Sequence, residues 1–342
     1  MTKDDKKWII ILTLLWLTIV AIINPIGDFP LNDDWSYGKT VKGLVSEGEF
    51  RPGGWTSMPL LTQALYGSMF CHLFGFSFTT LRLSTLFLAF WGLCISFAFF
   101  RLFNVSGGLA FFCTLLIGLN PLYVCLSHTF MTDLPFAVMS MAAMYCYAKD
   151  LKSKSLPWLF LGLLFSVGAT LTRQLGFFLP LAYGLSAKLS DRKWSRSFLP
   201  LFITILSLYS FELWLAQIGL PKMYMSRVTV LEGALKYGLG AFFVRFLERS
   251  GISLLYLSLL LVPMIPLTLG SLLQRVWTKA WGPLSLLGLA ILALLGKRMP
   301  VGGNIIYDTG LGPITLRDVK LLNMAKWSTW PCLWYLLSIV TL

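Results

Sequence analysis

The chain has 342 residues, of which 56% are hydrophobic and 13% are charged, and its mean hydropathy is +0.73. A soluble domain of this length is far less apolar, so the composition predicts a polytopic membrane protein. The net charge of +13 does not indicate nucleic acid, because the basic residues fall in short clusters between apolar segments. We therefore expect membrane lipids, and no nucleic acid, among the partners.

The apolar segments are long enough for helices, whereas a barrel would show short alternating strands. The predicted fold class is all-α, with about ten transmembrane helices and interfacial helices on the outer face. We expect one membrane-embedded domain, residues 1–342, with no separate soluble domain. The predicted spans are residues 8–26, 80–101, 107–125, 131–149, 156–171, 173–188, 197–215, 252–270, 282–296 and 329–342.

The two ends of the sequence each allow two interpretations. The first apolar run follows a basic start, as in a signal peptide, but it is long and lacks a small-residue cleavage site, which favours a retained first helix. The sequence stops inside an apolar run, so we expect either a short last helix or a truncated chain.

The distribution of Lys and Arg predicts the orientation. A cytoplasmic N-terminus places Arg101 and the clusters KDLKSKS, KLSDRKWSRS and QRVWTK inside, as the positive-inside bias requires. This holds only if residues 59–74 form a half-buried or re-entrant helix rather than a full crossing. The longer loops then face outward, which predicts a bacterial-type inner (plasma) membrane protein with an extracytoplasmic active site.

The adjacent acids Asp33 and Asp34 precede a segment with apolar residues on one side and lysines on the other, which predicts an interfacial helix. One interpretation is that Asn32 or Asp33 caps this helix and that the positive end of its dipole stabilises both carboxylates. The other is that one carboxylate is a general base toward an acceptor hydroxyl. Lys39, Lys42 and Arg51 could hold an anionic phosphate nearby, or could be solvated or in contact with lipid headgroups.

A second outer loop carries His128 and Asp133, in the stretch SHTFMTDLPFAV. Capping by Thr132 or Asp133, with Pro135 in the first turn, is a sufficient local explanation. The predicted orientation, however, places these residues on the same face as the first acid pair. Carboxylates and an imidazole could hold a divalent metal there, although no spacing specifies one.

Three further candidates follow from charge and from loop composition. Arg82 and Arg173 lie at the outer ends of apolar helices, where burying a charge costs on the order of 2.5 to 3.5 kcal/mol. Each is therefore expected to snorkel, or to pair with an outer carboxylate or a lipid-linked phosphate. The glycine-rich stretch 302–319 predicts an irregular loop, in which Asn304 and Tyr307 are candidate substrate-binding residues.

Four stretches within residues 1–190 resemble the membrane glycosyltransferases of the GT-C fold, in the family that includes protein O-mannosyltransferases and the aminoarabinose transferases of lipid A. They are NDDWSYGKTVKGLVSEGEF, MPLLTQALYGSMFCHLFGFSFTTLRLS, MTDLPFAVMSMAAMYCYA and TRQLGFFLPLA. The resemblance implies that Asp33 is the catalytic base and that Asp34 supports it, although this family usually has Asp-Glu at that point. It also matches Asp133 to the acid of the second outer loop, and Arg173 to a basic residue that opens a later helix.

The resemblance implies an inverting hexosyl- or pentosyltransferase. The sugar would pass from a polyprenyl-phosphate donor to a glycan, lipid or protein acceptor of the cell envelope. The main alternative is a transporter or flippase, which would carry ionisable residues near the membrane midplane. The predicted spans are nearly free of such residues, with Glu212 the nearest exception. A catalytically silent assembly subunit is a third possibility.

Overall fold

The computed structural model describes residues 3–31 and 33–224, together with residues 238, 240, 243, 310–311 and 314–315. The chain divides into two compact units, residues 1–119 with 123–230 and residues 120–122 with 231–342. In the second unit, the two-residue strands β1 (Gly310–Leu311) and β2 (Ile314–Thr315) pair in antiparallel fashion. The single domain expected from the sequence stays a prediction.

Helices make up nearly all of the described part of the first unit, which confirms the all-α prediction there. Three predicted spans, residues 252–270, 282–296 and 329–342, lie outside the described residues, so the total of about ten is not confirmed. The helices are α1 (Lys3–Ile23), α2 (Asp34–Ser46), α3 (Leu61–Phe74), α4 (Phe78–Leu102), α5 (Gly107–Gly118), α6 (Pro121–Ser127), α7 (Asp133–Ser153), α8 (Leu156–Thr172), the 3-10 turn Gln174–Phe177, α9 (Phe178–Leu189) and α10 (Trp194–Ile218).

The continuous helix predicted over residues 107–125 is wrong, because α5 and α6 are separate helices bent by 63°. Pro121 explains the break, since proline disfavours helical geometry in the residue before it and has no N–H to donate. The Asn120 side chain accepts a hydrogen bond from the Leu122 N–H at 2.9 Å, which starts the new helix.

Three described helices are long and apolar enough to cross a membrane: residues Asp4–Ile23, Phe78–Leu102 and Trp194–Ile218. The bent pair of α5 and α6 adds a fourth if it is one broken span, and α8 is apolar but shorter. These helices support the prediction of an integral membrane protein.

One end of the first unit, here called the carboxylate end, gathers the chain segments on which the predicted site depends. The Asp28 carboxylate in the loop after α1 accepts a hydrogen bond from the Phe78 N–H at the start of α4, at 2.8 Å. The Gln63 amide of α3 donates to the Phe130 carbonyl at 2.8 Å. The first contact attaches the loop after α1 to α4, and the second attaches the loop before α7 to α3.

The opposite end, here called the basic end, is joined by ion pairs. Arg101 at the end of α4 pairs with Asp5 at the start of α1, at 2.7 Å. Asp150 near the end of α7 pairs with Arg192 at 3.3 Å and with Arg196 at 2.7 Å, next to the start of α10. Arg101 and the predicted clusters KDLKSKS and KLSDRKWSRS therefore lie at one end of the unit, where Lys152 also donates to the Leu102 carbonyl. The predicted cluster QRVWTK lies outside the described residues.

Helix α3 has both of its ends at the carboxylate end. The Leu60 N–H, just before α3, donates to the carbonyl of Thr172, the last residue of α8, at 3.3 Å. Beyond the other end of α3, the chain turns directly into Phe78, which is bound to Asp28. The helix therefore does not run from one end of the unit to the other, in agreement with the prediction for residues 59–74.

Close packing of α7 against α8 sets the position of two site residues. Gly162 of α8 lies against the Tyr147 ring, where an added Cβ would come within 2.5 Å of it. Tyr147 in turn stacks on Tyr183 of α9, with ring centroids 4.4 Å apart. Because α7 and α8 run in opposite directions, Asp133 at the start of α7 and Arg173 just after α8 meet at the carboxylate end.

Candidate functional site

Asp33 presents an exposed carboxylate at the start of α2. It occupies the N-cap position with φ −71° and ψ −3°, and its side chain makes no capping hydrogen bond. An N-cap acid usually bonds to a backbone N–H in the first turn, and its backbone is usually extended. Capping therefore does not occupy the Asp33 carboxylate, which is open to an incoming hydroxyl group.

Asp34 is fully buried, and it holds two loops together. Its Oδ1 accepts from the Leu31 N–H at 2.6 Å, and its Oδ2 accepts from the Phe130 N–H at 3.3 Å. The pKa of Asp34 is raised to about 6, because burial, with a smaller contribution from the nearby Asp33 charge, outweighs the lowering by the two N–H groups and the Arg82 charge. The Asp34 carboxylate therefore joins two loops, whereas the Asp33 carboxylate is exposed.

Arg82 lies beneath the surface of the carboxylate end, and its predicted role in substrate binding stays a prediction. Only 2% of the residue is exposed, and its guanidinium donates to the carbonyls of Pro25, Gly27 and Phe29. It also stacks on the Phe29 ring at 4.6 Å from the centroid. Arg82 neither snorkels nor forms an ion pair with an acid in the described residues, but fixes the loop that leads into Asp33.

Asp133 and Arg173 form an ion pair through Oδ1 and a guanidinium nitrogen. Their side chains are 43% and 24% exposed, so both remain in contact with the surroundings. Thr132 is the N-cap residue of α7 and makes no side-chain capping bond. The pairing alternative raised for Arg173 is therefore the one seen, and capping does not explain Asp133.

His128 lies beneath the surface of the same end. Its Nδ1 bonds to the Val124 carbonyl at 2.7 Å, which places the ring hydrogen on Nδ1, and only 6% of the residue is exposed. Burial lowers the pKa of His128 and the Arg82 charge lowers it further, against the opposing effect of the Val124 bond. The imidazole is buried and bonded to the backbone, and its predicted binding role stays a prediction.

The described residues do not fit the divalent metal that the sequence left open. Within residues 3–31 and 33–224, no three side chains of His, Cys, Asp or Glu are grouped so that they could hold a metal ion. Asp34 and His128 are instead bonded to the backbone, and Asp133 is paired with Arg173. No step of the reaction proposed below is assigned to a metal.

Two of the remaining candidates, Lys39 and Arg51, lie on the exposed surface of the carboxylate end, here called the rim. Lys39 holds its ammonium 5.0 Å from the centroid of the Trp35 ring, and Arg51 pairs with Glu49 at 2.5 Å. Exposed pairs of this kind are weak and exchange partners readily. Asn304 and Tyr307 lie outside the described residues.

Two residues that shape the site were not singled out from the sequence. Gln63 holds Phe130 through its amide, and Asp28 holds the first turn of α4. A buried amide inside an otherwise apolar helix is costly unless it is bonded, so Gln63 in MPLLTQALYGS was a usable signal. Asp28 carried no such signal, because a single acidic residue in a loop is common.

No protein-family model matches the sequence, and no curated protein matches it. The fold is similar to the crystal structure of ArnT from Cupriavidus metallidurans bound to undecaprenyl phosphate, with a TM-score of 0.49 and 15% sequence identity. The match covers 60% of this chain and 42% of that one, so the chain spans less than half of that protein. It is a likeness of fold alone.

Proposed function

We propose that the chain is an inverting glycosyltransferase that moves a pentose or hexose from a polyprenyl-phosphate donor to a hydroxyl group of a cell-envelope acceptor. The observation that supports this most is the bond between Asp34 and Phe130. It joins the loop that carries the exposed Asp33 to the loop that leads into Asp133 and its partner Arg173. A base and a cation are thereby gathered at one end of a membrane-spanning helical unit.

In the proposed reaction, the Asp33 carboxylate removes the proton of the acceptor hydroxyl. The hydroxyl oxygen attacks the anomeric carbon of the donor on the face opposite the phosphate. The bond from the anomeric carbon to the phosphate oxygen breaks, and its electron pair leaves with the polyprenyl phosphate. Such transfers pass through an oxocarbenium-like state, in which a base and a stabilised leaving group both lower the barrier.

Arg173 is assigned to the departing phosphate. One guanidinium nitrogen is bonded to Asp133, and the side chain is partly exposed, so other N–H donors can face a ligand. Asp133 keeps the guanidinium in a fixed orientation, which matters because a planar fork binds phosphate best when it is positioned in advance. Lys39 and Arg51 on the rim would draw the anionic donor toward this end.

The test uses the whole chain purified into lipid vesicles with radiolabelled polyprenyl-phosphate pentoses and hexoses. Release of free polyprenyl phosphate in the presence of envelope acceptors is the readout. We expect Asp33→Asn to lower the rate by about 10²- to 10⁴-fold, since a general base contributes on that scale. The matched control is Glu47→Gln, which removes another exposed carboxylate, at the far end of α2.

Two results would contradict the proposal. One is release at the parental rate by Asp33→Asn. The other is movement of intact donor across the bilayer by the parent chain without any release of polyprenyl phosphate. The second result would favour the transporter alternative.

A further inference from the structure

The two ends of the first unit carry very different charge. Among the side chains that the structure describes at the basic end, ten are basic and four are acidic: Lys6, Lys7, Arg101, Lys149, Lys152, Lys154, Lys188, Arg192, Lys193 and Arg196 against Asp4, Asp5, Asp150 and Asp191. The carboxylate end is nearly balanced, with Lys39, Lys42, Arg51, Arg82, Arg173 and Lys222 against Asp28, Asp33, Asp34, Glu47, Glu49, Asp133 and Glu212. A large excess of positive charge is therefore confined to the basic end.

The buried acids of the basic end do not neutralise its lysines. Asp150 is fully buried and is bound by Arg192, Arg196 and the Tyr183 hydroxyl. Asp5 is buried and is bound by Arg101. In the part of the chain that the structure describes, the ion pairs at this end all use arginine. The Lys152 ammonium donates to the Leu102 carbonyl, a neutral acceptor that does not cancel its charge.

Four of these lysines lie over aromatic rings, among them Lys7, whose ammonium is 5.9 Å from the Trp8 ring centroid. The Lys152 ammonium is 4.8 Å from the Phe103 ring centroid, and the Lys188 ammonium is 5.2 Å from that of Trp194. Lys149 is 5.3 Å from the Trp158 ring centroid. The contacts of Lys149 and Lys188 bring a charge next to a tryptophan ring, which favours the headgroup level of a bilayer.

Apolar side chains border the same rings. Leu189 is 90% exposed and Trp194 is 65% exposed, next to Lys188 in the chain and in space. Leu156 is 65% exposed near Trp158. A free anion would use only the ammonium groups, whereas a phospholipid would cover the apolar side chains with its acyl chains as well.

We propose that the basic end binds anionic phospholipids, with headgroup phosphates on Lys149, Lys152 and Lys188 and acyl chains against the neighbouring exposed apolar side chains. Each basic residue near an anionic surface contributes about fivefold in affinity. The surface would hold the unit at a fixed depth in an anionic leaflet. This role is independent of the sugar-transfer proposal, since it involves the opposite end of the unit.

The test measures lipid retention by native mass spectrometry, with the full chain taken from nanodiscs of equal phosphatidylglycerol and phosphatidylcholine. We expect the parent to retain phosphatidylglycerol in preference to phosphatidylcholine. The triple variant Lys149→Gln, Lys152→Gln, Lys188→Gln should lose at least about tenfold of that preference. The control variant, Lys42→Gln with Lys222→Gln, removes exposed lysines of the carboxylate end and should keep the preference.

Three further measurements test whether positive charge and a phospholipid are both required. The triple replacement by arginine keeps the charge and should keep the preference, and raising the salt concentration should weaken the preference of the parent, whether or not the glutamine variant folds. The proposal is overturned if the parent shows no preference, or if the control variant loses as much as the test variant. It is also overturned if inorganic phosphate alone stabilises the parent against heat as much as phosphatidylglycerol does. No sugar donor is present, so failure here leaves the transferase proposal untouched.

Discussion

The Asp34 carboxylate bonds to the backbone N–H of Phe130, a residue 96 positions further along the chain. The other oxygen of the same carboxylate bonds to the Leu31 N–H at 2.6 Å. One buried side chain thus fixes the loop before α2 against the loop before α7. Any role of Asp33 together with Asp133 and Arg173 depends on this connection.

Replacing Asp34 with asparagine should show that this residue stabilises the fold rather than taking part in catalysis. The amide keeps one acceptor oxygen but turns its NH2 group toward an N–H donor, which leaves one buried bond unmade. We expect a loss of about 1 to 3 kcal/mol in the free energy of unfolding. Chemical unfolding monitored by circular dichroism measures this loss. Asp33→Asn serves as the comparison and should unfold almost like the parent, since its side chain is exposed; equal destabilisation by the two variants would contradict the assignment.

The raised pKa of Asp34 predicts how stability depends on pH. Its pKa rises from 3.8 to about 6 on folding, so the folded protein binds the extra proton between about pH 4 and pH 6. The free energy of unfolding contributed by this group therefore falls as the pH rises through that window, by at most about 3 kcal/mol. Unfolding curves at several pH values should show this slope in the parent. The slope should be absent from Asp34→Asn, and a slope that persists there would assign it to another group.

Arg82 should be important for stability rather than for substrate binding. Replacing it with leucine leaves the carbonyls of Pro25, Gly27 and Phe29 without their buried donor, which should cost about 3 kcal/mol or more. The affinity of any correctly folded fraction for a polyprenyl-phosphate donor should match that of the parent. Donor binding to purified protein, corrected for the folded fraction, measures this. A loss of donor affinity in the folded fraction of this variant would instead support a role for Arg82 in donor binding.

The sequence predicted the helices of this fold well where the length and the apolar content of a segment determine whether it forms a helix. The helices α4, α7, α8 and α10 lie close to their predicted ranges, and the short segment at 59–74 does not cross the unit. The break at Pro121 was missed because the apolar run continues through it. Hydropathy averages over such a run and does not register a single missing N–H donor.

The candidate site was predictable in its location but not in its bonding. Placing the acids at one end required only the order of helices and loops. That Arg82 is bonded to carbonyls, and that His128 is buried, depends on packing between segments more than 20 residues apart in the sequence. No local pattern distinguishes an arginine that awaits a phosphate from one that is already saturated by backbone groups.

Helix α7 offers a direct comparison, because it carries an ion-paired aspartate near each end. Asp133 at the carboxylate end is 43% exposed, whereas Asp150 at the basic end is fully buried between Arg192 and Arg196. Asp133→Asn should change the free energy of unfolding by only about 0 to 1 kcal/mol, because partly exposed pairs are weak, but should lower the rate of sugar transfer by misplacing Arg173. Asp150→Asn should cost about 3 to 5 kcal/mol by leaving two arginines without a counter-charge, yet leave the turnover of each folded molecule unchanged. The free energy of unfolding and the turnover rate of both variants test this. If Asp150→Asn lowered turnover and Asp133→Asn lowered only stability, the site would lie at the basic end.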